Sequence, residues 1–311
     1  MSKRSKLKAA LIGYAIGDTL GKGTEFMEGF EVKMRYPQGL RRYEQIYQDS
    51  HRSQWAHGAW TNDTEFVLML GETAIKEGGN LNILSQAESL MRWYINDPLD
   101  ITPNLRMVIS QTDYLEHPIE TSNRAWKNQS VREPSNEILG RALFAALLKG
   151  DPVRNSRTVT LLTHHDTTCE ACATLLAHLA TAYMEERPVP SSHELKKIVD
   201  SIDPSVVPVI RNASFNHPEK FEIDDPDYYW EVRRSLGIVL WALGQDMSQE
   251  EALYTIVDMG GDADTNASLL MALLAMRDGK IDLPEHLTSE LIGMERLEQV
   301  ADAWASIMGW D

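Results

Sequence analysis

The sequence predicts an all-α fold carried by a single domain over residues 1–311. Three observations point that way. Apolar residues recur at helical spacing along most of the chain, no segment shows the alternation of a half-buried strand, and no repeat or low-complexity stretch divides the chain. At 311 residues, 43% hydrophobic and 24% charged, the composition is that of an ordinary globular protein long enough for a large core. The formal net charge of −16 argues against general nucleic-acid or membrane-surface binding, which rests on basic patches. It leaves room for a small phosphorylated ligand held by metal ions and local dipoles. The start is basic, from Met1 to Lys6, but the apolar stretch after it is broken by Gly13, Gly17 and Asp18. No signal peptide is expected, and no apolar run reaches the length of a membrane span.

The elements follow in order. Leu7, Leu11, Tyr14, Ala15 and Leu20 mark a first helix over 7–20, with Gly13 and Gly17 four apart on it for close helix packing. It runs out at Gly21 and Gly23 and leads to Glu25. Residues 26–60 read as a long loop with short helical pieces, and long loops in compact domains are often functional. Thr61 or Asn62 caps a helix from there to about Lys76, ended by Gly78-Gly79. Helices are expected at about 83–96, 103–115, 136–149 and 166–186, with a short one near 156–163. The stretch 117–135, with Pro118, Pro134 and many polar residues, reads as loop. A helix over 192–201 follows Pro188 and Pro190; Pro204 and Pro208 then interrupt the chain, and 214–227 reads as loop. Helices resume at 228–244, at 249–258 behind a capping-box-like Ser248-Gln249-Glu250-Glu251, at 264–276 and at 288–308.

The stretch richest in chemistry is Asp258-Met259-Gly260-Gly261-Asp262-Ala263-Asp264-Thr265-Asn266. Two glycines make a turn, and two carboxylates and a hydroxyl follow at a helix start. Carboxylates so close repel unless a cation or a proton intervenes, and hard divalent ions take oxygen ligands of this kind. A plain cap would need only one of these groups. A second acidic, hydroxyl-bearing helix start, Thr61-Asn62-Asp63, lies about two hundred residues earlier, and Glu25 adds a fourth carboxylate just after a glycine-rich helix end. Converged, they would suit one or two octahedral cations able to fix substrate hydroxyls and activate a water. Cys169 and Cys172 form one Cys-x-x-Cys in an Ala- and Leu-rich helix. They read as small buried residues of a cytoplasmic protein, since a zinc site would need two more ligands, with His164 and His165 the only near candidates.

These pieces resemble the ADP-ribosylglycohydrolase family, the group of dinitrogenase-reductase-activating glycohydrolase and the ADP-ribosylarginine and ADP-ribosylserine hydrolases. The match runs from about residue 7 to 280 in order and spacing. It comprises Gly13 to Gly21 with Glu25, Thr61-Asn62-Asp63-Thr64, Leu162-Thr163-His164 with Cys169-Glu170-Ala171, and Leu236 to Leu243 with Glu251-Ala252-Leu253. The most specific piece is Gly260-Gly261-Asp262-Ala263-Asp264-Thr265-Asn266-Ala267. The resemblance implies an orthogonal helical bundle around a binuclear Mg²⁺ or Mn²⁺ site. By position, Thr61, Asn62, Asp63, Asp262, Asp264 and Thr265 take the metal-ligand places and Glu25 that of the acidic residue near the scissile bond. His164 takes the place of a histidine in the substrate cleft, and Ser135 and Asn136 open the segment that cradles a diphosphate. The implied ligand is ADP-ribose or an ADP-ribosylated protein.

Two departures matter. Asn62 stands where the family has the first of two aspartates, removing one negative charge and favouring a weaker or single metal. Glu137 stands where the family has glycine in the diphosphate segment, which here reads Ser135-Asn136-Glu137-Ile138-Leu139-Gly140-Arg141. The reading is a metal-dependent hydrolase of the glycosidic bond at ribose C1, with Glu25 as general acid or base and an oxocarbenium-like transition state. Glu137 leaves open another nucleoside-like or glycosidic substrate, and Asn62 a non-catalytic binding member. Trp55, Trp60, Trp126, Tyr228, Tyr229 and Trp230 are candidates to stack on a base.

Overall fold

A computed structural model of the chain describes residues 1–129, 132–215 and 217–311. Among these residues it holds sixteen α-helices and isolated β-bridges but no strand, as the periodicity predicts. The parts of the expected loops at 130–131 and 216 lie outside the described residues.

Helix α1 (Lys3–Gly21) starts at an N-cap Ser2 whose hydroxyl accepts from Ser5 N. A short α2 (Gly29–Arg35) and two 3₁₀ turns, Tyr43–Gln45 and Arg52–Gln54, punctuate the long 26–60 segment. Then come α3 (Asn62–Lys76), capped by Thr61, and α4 (Ile83–Ile95), capped by Asn82. Next are α5 (Pro103–Ile109), α6 (Pro118–Asn128), a 3₁₀ turn at Asn136–Ile138 and α7 (Leu139–Ala145). The middle of the chain holds α8 (Pro152–Leu161), α9 (Thr167–Met184), α10 (Ser192–Asp200) and α11 (Val207–Asn212). The last helices are α12 (Val232–Leu243), α13 (Gln249–Met259), α14 (Ala263–Asp278), α15 (Glu285–Ser289) and α16 (Met294–Met308).

Five expectations need correction. The stretch 117–135 is not all loop, because α6 occupies Pro118–Asn128. Pro118 sits in its first turn, where a missing N–H costs nothing. Its buried face is made of small residues, Thr121, Ser122 and Ala125, so no stripe of large apolar side chains announces it. The helix expected at 103–115 stops at Ile109. The one expected at 228–244 begins only at Val232, after a turn at 229–230 and an isolated bridge between Glu231 and Ser135. The one expected at 288–308 is cut in two by Gly293 at φ 89°. Pro208, expected to interrupt, instead sits in the first turn of α11.

Two helices fix the frame. The apolar run of α14 is buried on all sides from Ala263 to Met276, as a central helix must be. Helix α1 packs antiparallel against it through three glycines four residues apart. A Cβ at Gly13 would lie 2.8 Å from Met271 O, at Gly17 2.5 Å from Ala267 C, and at Gly21 2.4 Å from Ala263 O. Because the pairing descends as α1 ascends, the end of α1 meets the start of α14. A large apolar cluster surrounds this pair, and a smaller one around Phe66, Leu90, Leu105 and Tyr114 packs under α3, α4 and α5.

Candidate active site

Everything in the site is anchored at the C-terminal end of α1. Asp18, fully buried in its last turns, accepts from Thr61 N (2.9 Å), Thr64 N (3.0 Å) and Thr64 Oγ1 (2.6 Å). That carboxylate binds the free N–H groups at the start of α3 and so brings Thr61, Asn62 and Asp63 to α1. Three residues on, Gly21 lets the start of α14 approach, which brings in Asp262, Asp264 and Thr265. The chain then turns through Gly23 to Glu25. Phe26 N donates to Gly261 O (2.7 Å) and Gly261 N to Met27 O (2.9 Å), stitching that turn to the double glycine. Gly260 and Gly261 have φ of 77° and 70°, and a Cβ on Gly261 would lie 2.0 Å from Ile223 O. Only glycine fits there.

The result is a buried acid cluster. One carboxylate oxygen from each of Glu25, Asp262 and Asp264 lies within 4.8 Å of the other two. Asp63 stands outside that trio but joins it through Thr265, whose hydroxyl donates to Asp63 Oδ2 (2.8 Å). Asn136 Nδ2 donates to Asp262 Oδ2 (2.6 Å) and to Ser235 Oγ (2.7 Å), while its Oδ1 is buried without a partner. Thr61 Oγ1 accepts from Asp63 N (3.3 Å) as a cap. Burial and mutual repulsion hold Asp63 and Asp264 well above the usual carboxylate range: burial first, then Asp18 and Asp262 for Asp63, and Glu25 and Asp262 for Asp264. Burial also raises Glu25, against the pull of His51, whose Nε2 lies 3.0 Å from Glu25 Oε2. Lys22, at the turn, is buried beside these charges, and burial lowers its pKa.

These carboxylates, with Asn62, Asn136, Glu137 and Thr265, line a cavity of 30 Å³, room for an ion or a water but not for a sugar. Two larger clefts adjoin it. One, of 520 Å³, shares Thr102 and Trp230 with the small cavity and is walled by Pro103, Met107, Ser135 and Tyr228. The other, of 600 Å³, shares Asn62 and Asp100 and is walled by Trp55, Trp60 and Trp93. Of the aromatic candidates, Tyr228 and Trp230 face the first cleft and Trp55 and Trp60 the second, while Trp126 and Tyr229 line neither. Tyr229 packs on Phe26.

His164 is fully buried and does not line these spaces. Its Nδ1 meets Thr163 Oγ1 (2.9 Å) and its Nε2 lies 3.0 Å from Asn104 Nδ2, so it holds Asn104 at the wall of the 520 Å³ cleft. Burial, then the nearby Arg141, pushes its pKa well below the ordinary value, so it stays neutral. Ser135 reaches the cleft, while Asn136 turns inward to Asp262. Glu137 lines the small cavity with Oε2 bound by Thr102 Oγ1 (2.8 Å) and Oε1 without a partner. Burial lifts its pKa to about 7 against the opposing Arg141. Cys169 and Cys172 are buried free thiols, and among the described residues the acid trio is the one His/Cys/Asp/Glu group close enough to hold a metal. Asp18, His51 and Asp100 escape sequence reading as site residues. Asp18 stands in the matched Gly17-Asp18-Thr19, but no local signal marks His51 or Asp100.

The family profile described as ADP-ribosylglycohydrolase matches residues 1–310. The chain is 24% identical to an ADP-ribosylarginine hydrolase of Serratia proteamaculans (strain 568), over 96% of this chain and 78% of that one. It is also 24% identical to the ADP-ribosyl-[dinitrogen reductase] glycohydrolase of Rhodospirillum rubrum, over 100% and 99% of the two chains. A solved structure described as an ADP-ribosylglycohydrolase-related protein complex superposes with a TM-score of 0.73 at 22% identity, covering 98% of this chain and 99% of that one. A profile that spans the chain, on an all-α frame that gathers the acidic helix starts, makes this protein a hydrolase belonging to the ADP-ribosylglycohydrolase family.

Proposed function

We propose that this protein is a metal-dependent hydrolase that cleaves the bond between ribose C1 and the acceptor in ADP-ribosylated protein side chains. The observation that carries the proposal is the convergence of Glu25, Asp262 and Asp264 to within 4.8 Å in a buried cavity. Such charges are stable together only around a cation or a shared proton. The oxygen-only donor set, with Thr61, Asn62, Asp63 and Thr265 beside the trio, fits two Mg²⁺ or Mn²⁺ ions. Bound there, the ions would supply a positive field that orders the ribose hydroxyls and acidifies a water.

The chain's own residues do the rest. Asp63, Asp262 and Asp264 set the negative field that favours positive charge developing at C1. Thr265 and Asn136 hold Asp63 and Asp262 in place by hydrogen bonds. Glu25, its pKa raised by burial and its carboxylate oriented by His51, moves the proton between water and leaving group. The 520 Å³ cleft, walled by Tyr228, Trp230, Met107 and Pro103, suits a stacked base with Ser135 at its edge. Relatives named for ADP-ribosylarginine and for dinitrogen reductase support a protein acceptor. Two free thiols support a cytoplasmic setting.

The test is release of free ADP-ribose from ADP-ribosylated arginine and serine peptides with Mg²⁺ or Mn²⁺ and with a chelator. Metal-dependent release is expected. Asp262→Ala is expected to lower turnover at least about a hundredfold with the helical circular-dichroism spectrum unchanged. Wild-type protein that binds metal but releases nothing would point to the second reading, a glycosidic substrate without a diphosphate. Glu137, a buried carboxylate in the small cavity, favours that alternative.

A further inference from the structure

Asp63, Asp262 and Asp264 sit at helix starts, whereas Glu25 lies in the turn that follows α1. The residue after it, Phe26, has φ 56°. A bulky residue in that left-handed region is strained and persists only where its surroundings over-determine it. The turn is accordingly tied on several sides. Tyr36 Oη donates to Gly23 O (3.0 Å), Thr24 Oγ1 to Val257 O (2.7 Å) and Tyr229 Oη to Phe26 O (3.3 Å). Two further carbonyls, those of Lys22 and Glu25, go to one side chain.

That side chain is Arg52. It is buried, and its Nε donates to Lys22 O (3.0 Å) and its Nη2 to Glu25 O. Its Nη1 pairs with Asp49 Oδ2, while Asp49 Oδ1 accepts from His51 N (3.1 Å) and Arg52 N (2.8 Å). The chemistry explains the choice of arginine. The last carbonyls of a helix have no partner within it, and a planar fork of donors spans two carbonyls and a carboxylate at once. The peptide between Glu25 and Phe26 is thereby pinned at both ends, its C=O by Arg52 and its N–H by Gly261 O (2.7 Å). With Glu25 N bonded to Gly21 O (3.1 Å), both peptides that flank Glu25 are fixed, and with them the direction of its Cα–Cβ bond. The same short turn supplies His51 to the Glu25 carboxylate (3.0 Å). Main chain and side chain of Glu25 are thus held from one place.

We propose that Arg52 is the positioning residue for Glu25, clamping the 22–25 turn so that the carboxylate stands in the 30 Å³ cavity beside Asp262 and Asp264. Arg52 lines neither that cavity nor the two clefts, so its effect on the reaction runs through Glu25. Without the guanidinium, two buried carbonyls lose their donor. The Glu25–Phe26 peptide is then free to turn and relieve Phe26, which carries Glu25 away from the acid trio.

This inference rests on the hydrolase reading with Glu25 as acid or base, and a double-mutant cycle separates the two. Steady-state kinetics on ADP-ribosylated arginine and serine peptides with Mg²⁺ would compare wild type, Arg52→Lys, Glu25→Gln and the double variant. Lysine keeps a charge for Asp49 but has no planar fork for the two carbonyls. The expected result for Arg52→Lys is a fall in kcat of about tenfold or more, with KM within about twofold of wild type. In the Glu25→Gln background the same substitution should change kcat by less than about twofold, because the group it serves is already gone. An equal fall in both backgrounds would overturn the assignment, since a merely structural loss does not depend on the Glu25 carboxylate. So would Arg52→Lys kinetics within about twofold of wild type. If Arg52→Lys does not fold, Asp49→Asn takes its place in the cycle and is read the same way; it keeps the guanidinium and removes the charge that fixes it. Glu25→Gln as active as wild type overturns the assignment and keeps the hydrolase reading; wild type that cleaves neither peptide overturns both.

Discussion

At the residue scale the site depends on buried acids that are held rather than merely present. Asp18 anchors α3, Thr265 holds Asp63, and Asn136 holds Asp262. Glu137 is the clearest case for titration. Its folded pKa of about 7 stands above the usual value of 4.5, so between these values the folded state binds more protons than the unfolded one. Its stabilising share is full below pH 4.5 and is lost as pH rises through 7. Glu137→Gln has no proton to lose and keeps a group for Thr102 to bond. In chelator, thermal or urea unfolding of the variant should lose less stability between pH 4.5 and 8 than wild type, by up to about 3 kcal/mol. Parallel profiles would mean that Glu137 does not carry this proton. The acid starts around Asp63 and Asp262 were legible in the sequence because helix capping and acid spacing are local patterns. The inward turn of His164 was not, because a lone histidine after a threonine reads the same whether it faces a cleft or a core.

At the element scale, the antiparallel crossing of α1 and α14 turns two distant motifs into one site. Its requirement is the glycine stripe on α1. Gly17→Ala would drive a Cβ to 2.5 Å from α14 backbone atoms at Ala267 and Ser268, which cannot move as a side chain tip can. We expect a loss of about 3 kcal/mol in denaturant unfolding with an unchanged m-value, and lower activity as α14 shifts from Glu25. Gly13→Ala, with Met271 O at 2.8 Å, should cost less. The four-residue spacing of Gly13 and Gly17 indicated close packing, but nothing in it named α14 as the partner. Helix α6 shows the opposite failure. Its buried face is small and polar, so periodicity of large apolar residues missed it, and only its packing beside α4 and α5 explains it.

At the scale of the whole molecule, the acid cluster is a cost that a bound cation would offset. Glu25, Asp63 and Asp264 all have raised pKa values through burial. A cation that binds the folded state alone stabilises it by about 2.7 kcal/mol at a hundredfold excess over Kd. Mg²⁺ or Mn²⁺ should therefore raise Tm by about 5 °C, and Asp262→Ala should abolish the shift. A shift that survives Asp262→Ala would place the ion elsewhere. No described helix is long and apolar enough to cross a membrane.

By itself the sequence determined the helical class, the starts of several helices and the identity of the acidic motifs. Those are set by periodicity, capping and spacing within a few residues. Only the tertiary structure decided that Glu25 converges with Asp262 and Asp264, that Asp18 carries α3, and that Asp100 and Thr102 face different clefts. Each of those depends on contacts between residues far apart in the chain. Such contacts are chosen by the fit of whole helices, above all the glycine-lined approach of α1 to α14, and no local pattern encodes that fit.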